Sequence, residues 1–131
     1  MKIHHIGIAV ESLQAAVPLF EKLLGRAPDA EETIEEQTVR LVAFTLGESR
    51  IELLEATSPD SPIARFLGKH GQGIHHVALA VSNLREALAE LERAGFHLIG
   101  REPRVGAAGK RTAFLHPAST AGVLIELVEE K

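Results

Sequence analysis

The sequence predicts an α+β protein in which one strand–helix–strands unit is used twice. HHIGIAVESLQAAV, starting at His4, recurs as HHVALAVSNLREAL, starting at His75, 71 residues later. RIELLEA, starting at Arg50, recurs as LIELVEE, starting at Leu124, 74 residues later. Two matches in the same order at nearly one offset mark an internal duplication, with units at about 1–57 and 72–131. The chain has 131 residues, enough for one domain or for two small halves sharing a core.

Ile3–Val10 alternates in hydropathy and reads as a strand. Ser12 caps a helix whose apolar residues Leu13, Ala16, Val17, Phe20, Leu23 and Leu24 recur at helical spacing, and Gly25 stops it. Pro18 removes one hydrogen bond inside this run, so it either kinks the helix or delays its first turn. Strands at about 37–46 and 50–56 follow, joined by a hairpin at Gly47-Glu48-Ser49. A short linking helix at about 61–70 carries Pro62 in its first turn. In the second copy Asn83 is the cap, Leu84, Ala87, Leu88 and Leu91 form the apolar stripe, and Gly95 ends it. Strands at about 97–101, 111–116 and 122–129 complete the chain.

Composition excludes several functions. The net charge is −4 and no basic stripe occurs, which argues against nucleic acid or an anionic membrane as partner. No apolar run approaches the roughly 20 residues that span a bilayer. The start, MKIHHIGIAV, places a Lys and two His within its apolar stretch and makes a poor signal peptide, so a cytoplasmic protein is expected. Cys is absent, which removes disulfides, thiolate nucleophiles and Cys-based metal sites. Asn and Met each occur once beside many Glu and Arg, a pattern expected of a thermophile.

Strand parity selects the candidate site. His5, Gly7 and Ala9 share one face of the first strand, opposite Ile6, Ile8 and Val10. His76, Ala78 and Ala80 repeat this against Val77, Leu79 and Val81. The bulky face is expected beneath the helix, and the face with one His and two tiny residues leaves room for a ligand. Glu52 and Glu126 alternate against Ile and Leu in the last strand of each unit. Two neutral imidazoles and two carboxylates from equivalent positions, His5, Glu52, His76 and Glu126, make a set that neutralises a divalent cation and leaves coordination positions open. Such an N2O2 set suits Co²⁺, Mn²⁺, Ni²⁺ or Zn²⁺, and the affinity order alone does not choose among them. His4 and His75 point the opposite way and are assigned supporting or surface roles, and His116 a structural one. The Gly106–Arg111 loop is either a surface turn or a pair of cations for a phosphorylated or carboxylated substrate.

HHIGIAVESL, the ELLE-x-x-x-x-DSPIA-x-FL run, the GQGIHHVALAV segment and EPRVGAAGKRTAFLHPASTAGVLIELVE cover most of the chain. They resemble the vicinal oxygen chelate superfamily (glyoxalase, bleomycin resistance, dioxygenase) and, within it, the methylmalonyl-CoA epimerase family. The resemblance implies duplicated βαβββ units forming a cupped mixed sheet with helices on its convex face. It also implies a divalent metal held by His5, Glu52, His76 and Glu126, an acyl-CoA substrate and a homodimer. The implied activity interconverts (2R)- and (2S)-methylmalonyl-CoA by removing and returning the α-proton through a metal-stabilised enolate. Glu126 is the first candidate for the base and Glu52 the second; Leu41 stands where some members carry a further acid–base Glu. The alternatives are a glyoxalase I-type isomerase and a metal-free small-molecule binding protein.

Overall fold

The computed structural model describes residues 1–131, apart from the Arg101 side chain. Its elements are β1 (Lys2–Ala9), α1 (Leu13–Leu24), β2 (Ala30–Ile34), β3 (Val39–Leu46), β4 (Ser49–Ala56), α2 (Pro62–His70), β5 (Gly73–Val81), α3 (Leu84–Arg93), β6 (Leu98–Val105), β7 (Arg111–Leu115) and β8 (Ile125–Glu129). The order β-α-β-β-β therefore occurs twice, with α2 between the copies. The chain forms two compact units, one of residues 5–75 and the other of residues 1–4 with 76–131. In both long strands the division falls between the two histidines.

Within residues 5–75 the strands run β2-β3-β4-β1: β4 is parallel to β1, and the other pairs are antiparallel. Within 76–131 they run β6-β7-β8-β5, again with only one pair, β8 and β5, parallel. A parallel neighbour requires a crossover, and the helix with the two strands after it supplies one.

The helices form where the apolar spacing and the caps place them. Ser12 accepts from the Ala15 N–H, and Gly25 closes α1 in a left-handed conformation (φ 68°). Pro18 neither kinks α1 into two helices nor delays it. Pro18 and Gln14, whose carbonyl loses its donor, both lie on the exposed side, where water replaces the bond. Leu23 does not join the buried stripe and is 72% exposed. Ten residues after Leu13 it has rotated about 80° off the face that Leu24 regains. Val10, Leu13, Ala16, Val42, Phe44 and Leu53 make the core of this unit. In the other unit, Val81, Leu84, Leu88, Ala113 and Leu127 do the same, with Ala87 and Leu91 packed against them.

Strand boundaries differ from expectation in four places, one being β8, which begins at Ile125 rather than near 122. β2, with the sequence AEETI, was not legible: it is an edge strand with two adjacent acids and little apolar content. Gln37 lies in a 3-10 turn, which shortens β3 at its start. β6 runs on to Val105 through a register irregularity between Ile99 and Arg104, where Gly100 adopts φ 82°. The small-residue face of β1 and β5 is also the more deeply buried one: Ala9 and Ala78 are fully enclosed, whereas Ile6, Ile8, Val77 and Leu79 are half-buried.

Each last strand also holds its helix from beneath. Glu55 Oε1 accepts from the Leu13 N–H at 2.7 Å, and Glu129 Oε2 accepts from the Leu84 N–H at 3.0 Å. The carboxylates satisfy first-turn donors and meet the positive end of the helix dipole. The bond from Leu84 lowers the Glu129 pKa, against the opposing effect of burial. Replacing Glu55 with Ala (Glu55→Ala) is expected to destabilise the fold by about 1 kcal/mol, the usual cost of losing a cap, read from urea unfolding.

Candidate active site

His5 and Glu52 meet because of the β1–β4 register. Glu52 pairs with Gly7, and Arg50 pairs with His5. Gly7 has no side chain, so the His5 ring leans across toward Glu52, with its Nε2 3.3 Å from Glu52 Oε1. The second unit repeats this at β5 and β8. Glu126 pairs with Ala78, whose single methyl leaves the same space, and His76 Nε2 lies 3.1 Å from Glu126 Oε1. All four side chains are buried; Glu52 is 2% exposed and Glu126 6%. A mid-strand Glu between Ile and Leu is thus an interior group here, not the wet side of an edge strand. The structure forms two equivalent His–Glu pairs, one in each unit.

The halves are not chemically equal. Arg50 approaches Glu52 Oε2 at 3.2 Å, while its repeat counterpart is Leu124. Across from Glu52 on β3 stands Ala43, but across from Glu126 on β7 stands Phe114. The Phe114 ring lies edge-on to His76, with centroids 5.6 Å apart, and fixes that imidazole with an aromatic wall. Sequence reading missed Arg50 and Phe114. Arg50 was accessible to it, two residues before Glu52 and therefore on the same strand face. Phe114 required the β7–β8 register.

The other histidines have separate contacts. His4 is buried beside Glu130, with Nε2 3.4 Å from Oε2, and Lys110 Nζ approaches its ring. His75 packs edge-on against Phe66. His116 accepts the Ala118 N–H and caps a short turn. Lys110 donates to Glu130 at 2.8 Å, and Arg111 lies 4.0 Å from Glu129, so both cations of the 106–111 loop are already associated with carboxylates. Lys2 joins the cluster at 3.2 Å from Glu130.

Comparison with known proteins places the fold in a family. Residues 4–114 match the Glyoxalase/Bleomycin resistance protein/Dioxygenase superfamily, whose α+β fold the two βαβββ units reproduce. The chain is 45% identical over 130 residues to an uncharacterized protein, YqjC, of Bacillus subtilis, covering 99% of this chain and 93% of that one. It is 38% identical over 128 residues to the ethylmalonyl-CoA/methylmalonyl-CoA epimerase of Cereibacter sphaeroides, covering 96% of each. A variant of the Streptomyces coelicolor methylmalonyl-CoA epimerase, solved in complex with 2-nitronate-propionyl-CoA, superposes with a TM-score of 0.95 at 37% identity over 99% of this chain and 94% of that one. The chain belongs to that superfamily and, within it, to the methylmalonyl-CoA epimerase family, whose members are isomerases.

Glu130 provides a pH-dependent test of the Lys2–His4–Lys110 cluster. The Lys110 hydrogen bond foremost, then that from Lys2, draws its carboxyl from the ordinary 4.5 to about 2. Because the folded value lies below the unfolded one, this stabilisation is complete above about pH 4.5 and fades as pH falls toward 2. Glu130→Gln is expected to cost at most about 1 kcal/mol at pH 7, since the pair is partly solvated. The difference from wild type should vanish near pH 2, as measured by urea titration at both pH values.

Proposed function

We propose that the protein is a metal-dependent epimerase that interconverts (2R)- and (2S)-methylmalonyl-CoA, with His5, Glu52, His76 and Glu126 as the ligands of one divalent ion. The observation that carries this reading is the buried His Nε2–Glu Oε1 pair, present at equivalent positions in both units of a chain from an epimerase family. A carboxylate held away from water is costly unless opposite charge or donors compensate it. Two neutral imidazoles and two carboxylates suit one divalent cation, with Co²⁺ the first choice and Mn²⁺, Ni²⁺, Zn²⁺ or Mg²⁺ as alternatives. When bound, such an ion supplies Lewis-acid stabilisation of charge developing on a thioester oxygen.

The chain's own groups supply the rest. The carbon between a thioester and a carboxylate loses a proton on one face and regains one on the other. Glu126 is the base for one direction: its carboxylate accepts the α-proton and holds it as a carboxylic acid until solvent takes it up or the reverse reaction uses it. Phe114 and the small side chains of Ala78 and Ala80 keep this face apolar, which favours proton transfer at carbon by excluding competing water. Glu52, the second candidate carboxylate, would donate the proton that the opposite face of the carbon receives; His5 Nε2 lies 3.3 Å from its Oε1 and Arg50 Nη2 3.2 Å from its Oε2. The acyl-CoA substrate is inferred from the family and from the ligand in the Streptomyces coelicolor complex. A homodimer and a cytoplasmic location belong to the same reading.

Two outcomes test this reading. His5→Ala and His76→Ala should each abolish binding of a divalent metal, because no Cys exists to replace the lost nitrogen. Metal analysis after chelation and reconstitution reads the result, and full occupancy in both variants would show that the ligands are misassigned. Glu126→Gln keeps an oxygen donor but cannot accept the α-proton. It should retain much of its metal and lose exchange of substrate α-hydrogen with deuterated water by about 10²- to 10⁴-fold; exchange at the normal rate with metal bound would disprove the role of Glu126.

A further inference from the structure

We propose that Arg50 is the counter-charge of Glu52, so that the His–Glu pair of residues 5–75 meets a divalent ion with its negative charge already balanced; this rests on the metal reading above. Arg50 pairs in register with His5 on β1 and with Thr45 on β3. It stands two residues before Glu52 and therefore on the same face of β4. Its side chain is 19% exposed, and Nη2 lies 3.2 Å from Glu52 Oε2. Nε and Nη2 are enclosed and make no hydrogen bond, so charge rather than a directed bond joins the guanidinium to the carboxylate. His5 and Thr45, its two register partners, carry no negative charge.

A guanidinium stays protonated wherever the protein is folded, and enclosing it is costly unless an anion stands beside it. Glu52 has the same requirement with the opposite sign. Two other arginine pairs of this unit, Arg26–Asp29 and Arg40–Glu31, lie at the surface, where solvent screening leaves such contacts worth little. The enclosed pair acts more strongly, on itself and on any further charge brought to the same face. It also fixes which oxygen is offered: Oε2 faces Arg50, and Oε1 faces His5 Nε2 at 3.3 Å.

The second unit repeats the pair without this residue. Leu124 stands at the equivalent position, two residues before Glu126. The cations Lys2, Lys110 and Arg111 of that unit associate with Glu129 and Glu130. The His–Glu pair is therefore built once as a neutral group, with Arg50, and once as a singly negative one, with Leu124. The difference bears on the reaction. Each ligating carboxylate cancels one of the two charges of a divalent ion and reduces its pull on charge developing at a thioester oxygen. A Glu52 balanced by Arg50 supplies its oxygen with a smaller loss of that pull. Arg50 is thus a positioning residue that acts through Glu52. Once Glu52 has delivered its proton, Arg50 faces the carboxylate that remains.

A double-mutant cycle with Glu52→Gln tests the pairing on chelator-treated protein, by urea unfolding near neutral pH. Arg50→Met keeps most of the packing and removes the charge. It should lower the folding equilibrium constant at least about tenfold in the wild-type background, and far less in the Glu52→Gln background, where no charge awaits a partner. Equal loss in both backgrounds would show that Arg50 only packs, and would overturn the proposal. Titration with Co²⁺ tests the effect on the ion. Arg50→Met should bind it about tenfold more tightly, because a repelling charge is gone, and Arg50→Lys, which keeps the charge, should resemble wild type. An affinity unchanged or weakened in Arg50→Met overturns the proposal as well. Wild-type protein that takes up no divalent ion would instead overturn the metal reading, and the metal-free cycle would still decide the pairing of Arg50 with Glu52.

Discussion

Much of the architecture follows from holding a carboxylate in the interior of a sheet. Glu52 and Glu126 sit mid-strand with almost no exposure, where an ionised group must find compensating partners. The imidazoles of His5 and His76 provide them, and they reach across only because Gly7 and Ala78 yield the space directly opposite. A larger side chain at Gly7 or Ala78 would occupy the gap that the ring crosses. The run of tiny residues after each His is therefore as much part of the arrangement as the His and Glu themselves.

Duplication supplies the second constraint. Each unit reaches its own core through the same devices: a side-chain cap at Ser12 or Asn83, an apolar helix stripe, and a carboxylate from the last strand on the helix N-terminus. The scaffold is conserved between the copies, and the faces that carry the His–Glu pairs diverge. Arg50 has Leu124 as its counterpart, and Ala43 has Phe114.

Legibility in the sequence follows the range of the interactions involved. The His–Glu positions could be read because strand parity has a period of two, and the repeat marks equivalent residues without any coordinates. The caps of α1 and α3 were equally readable, since they act within three residues. Leu23 misled because its spacing of three residues from Phe20 is helical although its direction is not inward. β2 escaped because its existence depends on pairing with β3, and its own acidic residues carry no apolar alternation.

The sequence by itself determined the internal duplication, the absence of thiol chemistry and the four histidine and glutamate positions, because each is a matter of residue type and local spacing. Only the tertiary structure decided that both carboxylates are interior and that Arg50 and Phe114 flank them. Those facts depend on which residues of different strands stand opposite one another. Register is set by packing and backbone hydrogen bonds between segments distant in sequence, and no local pattern encodes it.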